Sequence, residues 1–172
     1  IVMSAENTFF QMRKNPYMDE IYSRGFMTDL SKVRRNETSQ LVYHKTFNYG
    51  DCVLEKRAAA AAGINEKIFI NTKGQISEGT VCNVFFVRKN MIYTPQLSCG
   101  LLPGILREYI MERFQVTETI IYPDELMYYE ECFVTNSLMG VMPVRQLGNI
   151  CFPHRTRAEE VRTIYESEKM SL

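Results

Sequence analysis

The stretch from Glu78 to Arg107 places the tightest limits on how this chain can fold. It begins Glu78-Gly79-Thr80, enters the apolar run Val81 to Val87, crosses a short apolar strand ending at Thr94, and reaches Leu102-Pro103-Gly104-Ile105. A carboxylate at the mouth of an apolar run is costly to bury unless a positive group meets it. Gly104 opens a helical pattern continued by Leu106, Ile110, Met111 and Phe114. Unpaired backbone N–H groups at a helix start, beside a glycine that permits close approach, suit a phosphate. The segment therefore predicts strands followed by a helix, with a carboxylate and an anion seat at their ends.

Such a pair of features gains meaning from a lysine upstream. Lys45 follows Leu41-Val42-Tyr43, which reads as an apolar strand, and precedes a helix. Asn48 reads as the cap of that helix, and Asp51 complements its dipole from the first turn. Alanines 58–62 carry the helix and Gly63 stops it. A lysine at such a junction is ordinarily a solvated cation. Tyr49 sits one helical turn on, so its hydroxyl reaches the same region, although its plain reading is an aromatic on a core face. Partial desolvation lowers a lysine's pKa, as imine formation with an aldehyde requires. A carboxylate wanting a cation, a helix start suited to a phosphate and an available lysine together match the needs of pyridoxal phosphate.

The rest of the chain reads as scaffold. Asn15-Pro16 looks like a helix start ending at Gly25, and Phe26 to Val33 a strand. Arg34-Arg35-Asn36-Glu37-Thr38 reads as a polar loop with solvated arginines. Further strands are expected over Ile64 to Ile70, Val116 to Tyr122 and Cys132 to Thr135, with a turn at Thr72-Lys73-Gly74 and a short helix from Pro123. The tip Asn136-Ser137 offers hydroxyl and backbone donors to an anion. Val141 to Arg145 reads as an edge strand, because Pro143 cannot donate to a ladder. Thr156 to Glu159 reads as a capping box opening a last helix that buries Val161, Ile164 and Tyr165.

At 172 residues the chain is of single-domain size, and its 20 basic and 20 acidic residues cancel without a basic stretch dense enough to track a nucleic acid backbone. No apolar run approaches membrane length. The 5 cysteines form no CxxC pair, and Cys82 and Cys132 lie in strand-like runs, so buried free thiols are expected. These features describe a cytoplasmic globular domain with no nucleic acid, membrane or metal partner.

Glu78-Gly-Thr-x-x-Asn83-Val-Phe85, Ile92-x-Thr94 and Leu102-x-Gly104-Ile-x-Arg107 together resemble the class IV aminotransferase signature, with every gap of allowed length. Lys45-Thr-Phe-Asn48-Tyr49 is similar to that family's Schiff-base lysine segment, and the resemblance runs from about Pro16 to the last helix. It implies an α+β fold, the large C-terminal domain of fold-type IV pyridoxal phosphate enzymes, with a mixed, barrel-like β core and flanking helices. Residues 1–172 would then be a single cofactor-binding domain, with 1–44 including the inter-domain lead-in and without the smaller N-terminal domain of the family.

The resemblance also implies roles. Lys45 would hold pyridoxal 5'-phosphate and transfer protons, Glu78 would pair with its pyridine nitrogen, and Tyr49 would meet its phenolic oxygen. The N–H groups of Ile105 and Leu106, with the Ser137 hydroxyl, would hold its phosphate. Asn83 would fix the turn that aims Glu78, and the substrate carboxylate would lie near Ser137 and Leu138. Thr135 to Val144 and Asn15 to Asn36 look most like the family's 4-amino-4-deoxychorismate lyases. That likeness implies release of 4-aminobenzoate and pyruvate, a step of folate synthesis. The alternatives are a branched-chain or D-amino acid aminotransferase, and a domain that keeps the fold without turnover. An amino acid-like small molecule and a homodimeric partner are expected.

Overall fold

Alternation along one strand decides the architecture. Val84 and Phe86 face one side and Phe85 and Val87 the other, and all are buried, so the strand must be covered on both faces. In a computed structural model, which describes residues 2–3, 5–12 and 14–169, a mixed sheet curled upon itself achieves this.

The elements run β1 (Val2–Met3), β2 (Thr8–Phe9), α1 (Asp19–Arg24), β3 (Phe26–Arg35), α2 (Gly50–Ala61), β4 (Glu66–Asn71), β5 (Ile76–Gly79) and β6 (Asn83–Arg88). They continue with β7 (Met91–Pro95), α3 (Ile105–Arg113), β8 (Val116–Thr119), β9 (Glu131–Asn136), β10 (Gly140–Leu147), β11 (Ile150–Cys151) and α4 (Thr156–Lys169). β1 and β2 pair with each other. The remaining strands form a nine-stranded sheet ordered β5-β4-β3-β10-β9-β6-β7-β8, with β11 also on β10. β3 runs parallel to both β4 and β10, and β7 to β8, while the other pairs are antiparallel. The sheet's two ends meet: the Ile76 N–H of β5 donates to the Ile121 carbonyl, just past β8, at 2.8 Å. That contact occupies an edge donor that would otherwise be left unpaired.

Two apolar layers result. Ile68, Ile76, Val84, Phe86, Ile121, Val134 and Met142 fill the inside of the curl. Outside it, Phe85, Val87, Phe133 and Val141 lie beneath Leu106 and Ile110 of α3 and Ala158 and Val161 of α4. Phe85 and Phe133 stack across the β6–β9 pair, with centroids 4.9 Å apart and planes within 4°. Truncating either ring would cost ~3–5 kcal/mol. The architecture is the expected α+β core with flanking helices, and Cys82 and Cys132 are buried free thiols. Among the described residues, no helix is long and apolar enough to cross a membrane.

Several local expectations are corrected. The first helix starts at Asp19 rather than at Pro16, because the Asn15 side chain accepts from the Tyr17 N–H at 3.0 Å and holds a turn there. Leu41-Val42-Tyr43 belongs to a 3-10 turn, not a strand, with the Ser39 hydroxyl accepting from the Leu41 N–H. Tyr49 and not Asn48 occupies the cap position of α2, so Lys45 and Tyr49 are joined by a loop and not by a helical turn. β8 stops at Thr119, short of Tyr122. β10 is an interior strand despite Pro143: it pairs with β9 along its first half, and pairing with β3 begins only at Val144, one residue beyond the proline. At the start of α4, the Glu131 carboxylate accepts from the Arg157 and Ala158 N–H groups at 3.0 Å, a tertiary cap rather than a local box, while Glu159 pairs with Arg155.

Candidate functional site

Arg35 is the main correction to the sequence reading. Alternation in β3 continues two residues past Val33, and instead of a solvated loop it delivers Arg35 to the inside of the molecule. Its guanidinium donates to Glu78 Oε1 at 2.5 Å, lies over the Phe69 ring at 4.9 Å and reaches Cys52 Sγ at 3.4 Å. The other Glu78 oxygen accepts from the Leu102 N–H at 3.0 Å. The cation that Glu78 requires is therefore supplied by the protein. Arg34, its neighbour, remains exposed.

Burial pushes the Glu78 carboxyl above its ordinary pKa, with Arg35, the Leu102 N–H and the Lys45 charge pulling the other way. Burial likewise opposes the charge on Arg35, but Glu78 and Cys52 outweigh it and raise that pKa. Arg35 thus stays charged, and Glu78 is the member of the pair that titrates. The Cys52 thiol is pushed up by burial, which Arg35 only partly offsets.

Around this pair opens a cavity of about 1080 Å³. Its wall brings together Lys45, Tyr49, Glu78, Asn83, Ile105, Leu106, Ser137 and Leu138, every residue that the sequence singled out. They converge from the loop before α2, the end of β5, the starts of β6 and α3, and the tip after β9. Lys45, Ser137 and Leu138 are exposed, whereas Glu78 and Asn83 are buried. Arg35, Cys52 and Thr135 also line the cavity and were not assigned to it from sequence, and Asn136 lines it as part of the tip read as an anion seat.

Asn83 has a structural task at the start of α3. Its Nδ2 donates to the Leu102 carbonyl at 2.8 Å, and its Oδ1 lies 2.1 Å from where a Cβ on Gly104 would stand. The close approach that requires glycine at 104 is that of Asn83, with φ an ordinary −78°. Among the described residues no side chain caps α3, so its first N–H groups remain available to an anion. Asn136 organises the facing tip: its Oδ1 accepts from the Leu138 and Met139 N–H groups at 3.0 and 2.7 Å, and its Nδ2 donates to Val81 at 3.0 Å. Behind β5, the buried Glu66 accepts from the Thr80 N–H and hydroxyl and from Lys56 Nζ, which locks the turn following Glu78.

These residues fit pyridoxal phosphate. A primary amine lies at the cavity wall, a buried carboxylate keeps acceptor capacity beyond its two bonds, and a helix start lacks a side-chain cap. The curled mixed sheet with flanking helices is the core of the fold-type IV pyridoxal phosphate enzymes. Residues 4–147 match the family model described as amino-transferase class IV, and the chain belongs to that family.

A Thermotoga maritima protein named a probable branched-chain-amino-acid aminotransferase is 32% identical over 149 residues, covering 83% of this chain and 54% of the relative. The Bacillus subtilis aminodeoxychorismate lyase is 29% identical over 123 residues, covering 69% of this chain and 42% of that protein. Among solved structures, the branched-chain amino acid aminotransferase of Thermobaculum terrenum in its PLP form superposes with a TM-score of 0.76 at 25% identity, covering 86% of this chain and 52% of that one. The chain thus spans about half the length of these proteins.

Proposed function

We propose that this chain is the cofactor-binding part of a pyridoxal phosphate-dependent aminotransferase acting on amino acids with apolar side chains. The observation that carries the reading is the cavity itself: Lys45 and Glu78 share it with Leu41, Phe47, Tyr49, Val81, Ile105 and Leu138, exposed apolar groups around its wall. Such a lining suits an aliphatic or aromatic side chain better than a charged one. The likeness to proteins named branched-chain aminotransferases supports this over the lyase expected from the loop at 135–144.

When bound, the cofactor supplies an electron sink for charge developing at the substrate's α-carbon. The remaining work falls to the chain. Lys45 Nζ would hold the cofactor and, as a primary amine, would take up and release the proton at its own nitrogen. Glu78, held in place by Arg35, would pair with the ring nitrogen, and Tyr49 would meet the phenolic oxygen. The Ile105 and Leu106 N–H groups, with the Ser137 hydroxyl, take the phosphate. The substrate carboxylate would rest near Ser137, since the Leu138 N–H already donates to Asn136. We take residues 1–172 as one cofactor-binding domain and the working enzyme as a homodimer.

A lyase is the second reading, favoured by the Thr135 to Val144 segment and by the Bacillus subtilis relative. The test is absorbance of the purified chain with pyridoxal phosphate, before and after borohydride, beside Lys45→Ala. A borohydride-fixed adduct in the wild type and none in the variant is expected, with stability unchanged because Lys45 is exposed. Keto-acid amination then supports the aminotransferase, and 4-aminobenzoate release the lyase. Absence of any adduct would remove the cofactor reading for this chain.

A further inference from the structure

Thr135 lies opposite Asn83 in the β6–β9 pairing, on the same face of β9 as Phe133. Because Asn83 reaches Leu102 and Gly104, Thr135 stands beside the start of α3. It lines the cavity with Gly104, Ile105, Leu106 and Ser137. The residue is 1% exposed, yet its hydroxyl has no hydrogen-bond partner among the described residues. A buried hydroxyl without a partner lowers stability, and valine would fill the same space without that loss.

We infer that Thr135 Oγ1 is an additional donor to a phosphate monoester seated on the first N–H groups of α3, an inference that rests on the pyridoxal phosphate reading above. The nine-residue helix α3 presents uncapped N–H groups from one side. The strand β9 presents the hydroxyl from another, and a phosphate oxygen supplies the acceptor that it lacks among the described residues. Donors from two separate elements fix the orientation of the phosphate as well as its position. Thr135 is thus a binding residue and takes no part in proton transfer.

Thr135→Val keeps the shape and removes the hydroxyl, and Thr135→Ser keeps the hydroxyl. Without ligand, Thr135→Val is expected to melt at or above the wild-type temperature. It should bind pyridoxal phosphate roughly tenfold more weakly, the effect of losing one charge-assisted hydrogen bond, with Thr135→Ser close to wild type. Pyridoxal, which has no phosphate, should bind all three alike, and inorganic phosphate should raise the melting temperature of the wild type more than that of Thr135→Val. Unchanged pyridoxal phosphate affinity in Thr135→Val, an equal loss for pyridoxal, or a lower unliganded melting temperature would each overturn the inference. If the wild type forms no cofactor adduct, the functional reading fails on its own. The phosphate-induced melting shift then decides Thr135 separately, and equal shifts in wild type and Thr135→Val, zero included, reject it.

Discussion

Arg35, the last residue of β3, donates to Glu78 Oε1 at 2.5 Å across 43 residues of sequence, and both side chains are shielded from solvent, at 15% and 6% exposure. The pair places a charge beside the cavity while satisfying its cost inside the protein. Glu78 can then face a ligand without depending on the ligand for its counter-charge.

Arg35→Met should therefore destabilise the protein by about 3–5 kcal/mol, because it strands a buried carboxylate. Combining it with Glu78→Gln should recover most of that loss. Urea denaturation of both single variants and the double variant measures the coupling, and strictly additive losses would show that the two residues do not act as a pair.

The same pair predicts a pH dependence. Burial raises the folded-state pKa of Glu78 above its unfolded value. Its contribution is thus fully present below the unfolded pKa and is lost as pH rises through the folded pKa. In Arg35→Met the upward pull is less opposed, so the deficit against wild type should be large at neutral pH and shrink on acidification as Glu78 takes up a proton. Denaturation midpoints of the two proteins across that range check the sign, and a deficit that grows on acidification contradicts it.

Gly104→Ala should cost about 1–2 kcal/mol, since the new Cβ meets Asn83 Oδ1 and displaces the side chain from the Leu102 carbonyl. The backbone at Gly104 has an ordinary φ, so the penalty is steric and local. In an Asn83→Ala background the same change should cost almost nothing. Thermal melts of the four proteins in this cycle provide the comparison.

Glu131→Ala should destabilise by about 1–2 kcal/mol through loss of the α4 cap, and Glu131→Gln by less, since an amide oxygen can still accept from Arg157 and Ala158. Chemical denaturation compares the two substitutions. Equal effects would mean that charge at the helix start, rather than the hydrogen bonds, carries the cap.

Local signals located most of the elements. The apolar run at 81–87, the φ-positive turn at Gly74 and the helix stop at Gly63 each follow from a few adjacent residues, and the structure has a buried strand over Asn83–Arg88, a positive φ at Gly74 and the end of α2 just before Gly63. Errors fell where a distant partner overrode a local preference. Pro143 argued for an edge, yet β10 is interior because β3 starts pairing one residue beyond it. Thr156 and Glu159 resembled a capping box, yet Glu131, from another element, holds the helix start. Arg35 looked solvated because its sequence neighbours are polar, and simple alternation from Phe26 and Thr28 would carry Arg34 inward instead; the irregularity between Leu30 and Arg34 switches the inward parity to Ser31, Val33 and Arg35.

The candidate site divides in the same way. Sequence by itself determined which groups are available: an amine at Lys45, a carboxylate at Glu78, an uncapped helix start after Gly104 and a hydroxyl at Ser137. Their types and spacing follow from side-chain chemistry and from periods of two and 3.6 residues, which need no tertiary contact. Only the tertiary structure decided that they share one cavity, that Arg35 meets Glu78, that Asn83 occupies the space left by Gly104, and that the buried Thr135 hydroxyl beside α3 has no partner among the described residues. Those relations join residues far apart in the chain, and it is the pairing and curling of the sheet that brings them within hydrogen-bonding distance.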